Sequence, residues 1–118
     1  MNRMDRIHSV LFSKSKVRIP FKGDCIADAM KFGFSYIESE DHIVEYIACN
    51  PKMMKRTFKE IPDDFELLAD DPNGGIGRLW TATMLITNKL KDDQIIFSNN
   101  TFSVVVDVNL NQLTSIHE

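Results

Sequence analysis

Four groups of residues in this 118-residue chain have types and spacings that chemistry uses. Cys25, in "KGDCIADAM", stands where a helix would begin. A thiol there faces unpaired backbone N–H groups and the positive end of the helix dipole. Both lower its pKa and make it a candidate nucleophile. Such a thiol needs a base, and the histidines are His8, His42 and His117. Neither His42, on an expected neighbouring helix, nor His117, near the chain end, precedes a clear orienting Asn or Asp on a strand. The plainer role for Cys25 is a small buried residue packing the helix start. A metal site from Cys25, His42 and Cys49 would lack the short paired spacing of zinc ligands.

The acidic run comes next. Asp63, Asp64, Glu66, Asp70 and Asp71 put five carboxylates within nine residues. Catalytic carboxylates need environments that push their pKa values apart. No lysine or histidine lies within the run to do that here. A crowded, wet cluster instead creates a negative field that steers and holds a basic partner, or it simply keeps a loop solvated. Just before it, Lys52, Lys55, Arg56 and Lys59 recur at helical spacing opposite Met54, Phe58 and Ile61. That is the wet stripe of an amphipathic helix, or a surface for phosphates or an acidic partner.

The stretch "ADDPNGGIGRLW" fails three phosphate or metal patterns. Trp80 stands where the third glycine of a dinucleotide loop belongs. No lysine completes a P-loop. Counted from Asp71, Ile76 and Ala82 occupy the glycine and glutamate positions of an EF-hand. The stretch therefore reads as a turn leading into a strand, with Gly77 at a bend. Trp80 reads as core or, if exposed, as an interface anchor.

These residues need elements to position them. "KVRIPF" alternates as a half-buried strand, and Pro20 suggests a sheet edge. "IHSVLF" could pair with it as an N-terminal hairpin. Asp24 can cap a helix through Tyr36 with Ile26, Met30, Phe34 and Ile37 inward, although Gly33 weakens it by about 1 kcal/mol. Ser39 can cap a second helix with Ile43, Val44, Ile47 and Ala48 inward. Asn50-Pro51 opens a third, ended by Pro62, with Met54, Phe58 and Ile61 inward. "DDFELLADDPNGG" reads as loop. "RLWTATMLITNK" permits strand or helix, with threonines favouring strand. "QIIFSNNTFSVVVDVNL" reads as a hairpin turning at Asn99-Asn100 with Phe102, Val104, Val106 and Val108 buried. The expected fold class is α+β: an N-terminal β-hairpin, three short helices and a C-terminal antiparallel β-meander, in one domain spanning 1–118.

Composition narrows the function. The net charge of −3 argues against general nucleic-acid binding, which draws on excess Lys and Arg. Hydrophobic residues at 43% suffice for a core without disulfide or metal. Two widely separated cysteines, the absence of a leader pattern and the lack of a long apolar run suggest a reduced, cytoplasmic protein. The sequence thus points to a protein-binding protein with no cofactor. The expected type is an immunity-like bacterial inhibitor that covers a basic, nuclease-like toxin with Asp63, Asp64, Glu66, Asp70 and Asp71. The alternatives are a small thiol enzyme using Cys25, and a self-associating subunit that pairs its C-terminal hairpin across a two-fold axis.

Overall fold

Tyr46–Cys49 is apolar at every position, and it becomes the strand on which the rest is organised. A computed structural model describes residues 17–39, 42–67, 77–99 and 102–110, the side chains of Phe65 and Leu67 excepted. Its strands are β1 (Val17–Gly23), β2 (Tyr46–Cys49), β3 (Phe65–Leu67), β4 (Gly77–Leu79), β5 (Ala82–Ile86), β6 (Gln94–Ser98) and β7 (Ser103–Leu110). Two helices, α1 (Ile26–Glu38) and α2 (Pro51–Glu60), accompany them, with a 3-10 turn at Pro62–Asp64. The seven strands form one mixed sheet in the order β1-β7-β6-β2-β5-β4-β3.

The topology repeats itself. The units β1-α1-β2 and β2-α2-β3 share β2, and each leaves a gap of two strands. A hairpin fills each gap: β6–β7 the first, β4–β5 the second. In both, the hairpin's second strand runs parallel to the unit's first strand, β7 beside β1 and β5 beside β2. Its first strand is antiparallel to the unit's last, β6 to β2 and β4 to β3.

The α+β class stands, but three finer expectations need correction. The Ser39-capped helix does not form. Residues 46–49 are strand, and Ile43, expected inward, is 63% exposed. A short apolar run buried on both sides has neither helical nor alternating periodicity, so pattern cannot separate a central strand from a helix. The C-terminal strands are no continuous meander either, because β2 inserts between β5 and β6. β1 takes its place at the sheet edge, as Pro20 implied, but its partner is β7 in parallel. The other proposed hairpin arm, residues 7–12, lies outside the described residues. Among the described residues β6 and β7 are interior strands and the sheet edges are β1 and β3.

Both helices contribute to one core. Ile26, Ala29, Met30, Phe34 and Ile37 of α1 join Met53 and Met54 of α2 against Ile47, Met84, Ile95, Phe97, Val104 and Val106. Phe58, expected inward, is 44% exposed; Met53 and Thr57 take the buried side. Asn50 caps α2 as expected, accepting from the Met53 N–H at 2.8 Å, with Pro51 in the first turn. Alternation places Tyr46, Ala48, Leu85, Ile96 and Val105 on the opposite face, where they form a second buried cluster.

Gly33 has a packing reason. A methyl there would overlap the ring of Phe97, which is fully buried and cannot retreat. Gly33→Ala should therefore destabilise the protein by about 1–3 kcal/mol, the cost of overpacking. Helix propensity alone predicts a gain of about 1 kcal/mol. Denaturant melts decide between them, and Gly33→Ala with Phe97→Leu should recover part of the loss.

A polar clamp ties the β1 edge down. Arg18 donates through Nη2 to Asp107 Oδ1 at 2.8 Å and through Nε to Oδ2 at 3.2 Å, and Gln94 Nε2 donates to Asp107 Oδ1 at 3.1 Å. Burial pushes the Asp107 carboxyl up, but the Arg18 and Gln94 hydrogen bonds, with the charges of Arg18 and Lys91, outweigh it and hold it below its ordinary value. A carboxyl depressed in the folded state stabilises above its unfolded pKa, about 3.9, and loses that contribution as pH falls through the folded value. Protection of the β1 amides, measured against their intrinsic exchange rates, should therefore fall below about pH 4. In Asp107→Asn that pH dependence should flatten.

Candidate functional site

α1 begins without a side-chain cap of its own. Asp24 was the expected capping residue, but the N-cap is Cys25, whose side chain makes no capping bond. A carboxylate from the other helix substitutes: Glu60 Oε1 accepts the Ile26 N–H at 2.8 Å. This joins the start of α1 to the end of α2. Asp24 precedes α1 and Asp28 lies in its first turn. Ile61, half-buried against the core, closes α2, and the 3-10 turn follows at once with Asp63 and Asp64, both exposed. Five carboxylates, from Asp24, Asp28, Glu60, Asp63 and Asp64, thus share one end of the helix layer.

Two of the five were expected there. Glu66 is exposed on edge strand β3, opposite Arg78 in register. Asp70 and Asp71 lie outside the described residues. Asp24, Asp28 and Glu60 escaped the sequence reading because 24–28 and 60–64 are far apart in the chain, and only helix pairing unites them. Neither the Arg18–Asp107 nor the Lys52–Asp92 ion pair engages Asp63, Asp64 or Glu66.

The helix dipoles act unequally on these acids. Asp28 and Glu60 stand at the positive end of α1, where negative charge is favourable. Asp63 and Asp64 follow the negative end of α2, where it is not. The basic stripe lies along the exposed side of α2. Lys52 is drawn to Asp92 at 3.4 Å. Asp92 also accepts from Asn50 Nδ2 at 2.5 Å, and Asn50, then Lys52, hold its carboxyl below the ordinary range.

Among the described residues no histidine stands by Cys25, and His8 and His117 lie outside them. Cys25 precedes the first residue of α1, while His42 follows its last turn and sits edge-on to Phe102 at 5.0 Å between centroids. Thirteen residues of helix separate their ends, about 20 Å at helical rise. Cys49 is buried, and burial pushes its thiol up to about 12. Among the described residues no three of His, Cys, Asp and Glu gather as metal ligands do. No helix among them is long and apolar enough to cross a membrane.

A second feature lies at the other end of α1. Leu79 and Ala82 pair across a two-residue turn of Trp80 and Thr81. Trp80 has φ 54°, a left-handed conformation costly for a bulky side chain. The Thr81 hydroxyl donates to the Val44 carbonyl at 3.0 Å and steadies the turn. The half-buried indole meets Phe34 edge-to-face, with centroids 4.9 Å apart. Trp80, Thr81 and Phe34, with Lys31, Ser35 and Glu38, line a cleft of about 380 Å³.

No protein-family model matches the chain, and no curated protein or solved structure shows significant similarity to it.

The two kinds of carboxylate at the acidic end should separate on mutation. Glu60→Ala removes a cap and should cost about 1 kcal/mol. Asp63→Asn with Asp64→Asn removes charge from the unfavourable end of α2 and should leave stability unchanged or raise it by up to about 1 kcal/mol. Urea midpoints of the two variants check this.

Proposed function

We infer that this chain is a protein-binding protein that grips a basic surface with the acidic end of its helix layer. The observation that carries the reading is the Ile26–Glu60 hydrogen bond, which sets two acidic segments side by side. Nearby exposed carboxylates reinforce one another's field and raise the encounter rate with a cationic surface. Asp63 and Asp64 follow the end of α2, whose dipole disfavours them, and the single 3-10 turn they occupy is the one local feature that favours acids there. Glu66, on edge strand β3, projects beside Arg78 from the other face of the sheet and adds a carboxylate apart from this cluster.

A partner of matching chemistry displays clustered Lys and Arg, as the phosphate-binding face of a nuclease does. Covering that face would inhibit the nuclease by exclusion and by charge neutralisation, which is the immunity-type reading. Rim carboxylates would act mainly on association, and one that is desolvated in the complex would cost about 2–5 kcal/mol on truncation.

Capture from the source cell, at low salt and at about 150 mM salt, tests this. The wild-type chain should retain a basic protein, more at low salt. The triple variant Asp63→Asn, Asp64→Asn, Glu66→Gln should bind it about tenfold more weakly, through a slower association rate. Retention of no basic protein, or equal retention by both chains, contradicts the proposal.

A further inference from the structure

The cleft beside Trp80 lies at the opposite end of α1 from the acidic cluster and takes no part in the function proposed above. Its aromatic floor, Trp80 against Phe34, is flanked by Lys31 and Glu38, seven residues apart on one face of α1. That spacing is about 10 Å along the helix, beyond the three- and four-residue separations at which helix side chains pair readily. Among the described residues neither charge is in an ion pair. Ser35 lies between them and also lines the cleft.

Two placements run against local stability. Trp80 holds a left-handed backbone where a glycine would be unstrained. Glu38 is the last residue of α1, where the dipole disfavours a carboxylate, and no basic residue occupies that last turn. Local strain and misplaced charge coincide at the same cleft, as they do where a site is held ready for a ligand. Its volume is within the range of small-ligand pockets, about 300–1,000 Å³.

We propose that this cleft binds a short zwitterionic peptide bearing an aromatic side chain. The side chain packs on Trp80 and Phe34. The terminal carboxylate pairs with Lys31 and the terminal ammonium with Glu38. Opposite charges at the two ends of an apolar floor select a ligand with both termini free, and they discriminate against one capped at either end.

Trp80 is the single tryptophan of the chain, so its fluorescence reports this site alone. The probes are the dipeptide Phe-Ala and its N-acetylated, C-amidated and doubly capped forms. Phe-Ala should change Trp80 emission saturably, and each single cap should weaken binding about two- to fivefold, as expected for exposed ion pairs. Lys31→Gln should erase the discrimination against the amide and leave that against the acetyl form. Glu38→Gln should do the converse. Both residues are exposed, so neither variant threatens folding. An emission change that never saturates, or equal binding of the doubly capped peptide, overturns the proposal; the latter would assign the cleft to an internal segment of a protein. Because Asp63, Asp64 and Glu66 are not involved, the triple variant at the acidic end should bind Phe-Ala as the wild type does. Failure here therefore leaves the acidic-end reading standing, and the reverse.

Discussion

The Ile26 N–H and the Glu60 carboxylate meet at 2.8 Å, and this contact fixes the start of α1 against the end of α2. A helix start carries unsatisfied N–H groups and positive partial charge, so a carboxylate is its natural complement. Cys25 at the N-cap supplies no side-chain bond, which makes the neighbouring helix the source of the cap. Capping in trans differs from capping in cis in one respect: it couples two segments distant in sequence. That coupling gathers acids which would otherwise be dispersed.

The sheet makes the coupling possible. α1 enters β2 and α2 leaves it, so both helices are tethered to one central strand. β2 is buried at all four positions and pairs on both sides, with β5 and β6. With β2 anchored, the helices pack side by side over the same face, and their far ends meet at Ile26 and Glu60. On the other face, the Arg18–Asp107–Gln94 clamp links three adjacent strands and secures the edge that leads into α1.

What the sequence displayed was whatever depends on local pattern. The α1 stripe, the Asn50-Pro51 start of α2, the strand character of 82–86 and the β6–β7 hairpin all follow from periodicity or from turn and cap chemistry, and the structure has them. β2 is not legible as a strand because a doubly buried four-residue strand carries no period. The topology was hidden for a different reason: β1 beside β7 and β5 beside β2 are parallel pairings, and nothing local specifies them. The acidic cluster was half legible. Asp63 and Asp64 stood out as a run, whereas Asp24, Asp28 and Glu60 joined it through helix pairing alone. The Trp80 cleft had a local sign in the shared helical face of Lys31, Ser35 and Glu38, but the turn that brings the indole to them is long-range.

The central claim is that Asp28, Asp63 and Asp64, at the shared end of α1 and α2, are available to a cationic surface. Nuclear magnetic resonance titration of the labelled chain with a short oligolysine peptide at low salt measures this most directly. The account predicts saturable amide shift changes centred on residues 24–28 and 60–66, suppressed when Asp63 and Asp64 are replaced by asparagine. Shifts spread evenly over the surface, or centred away from these segments, would contradict it.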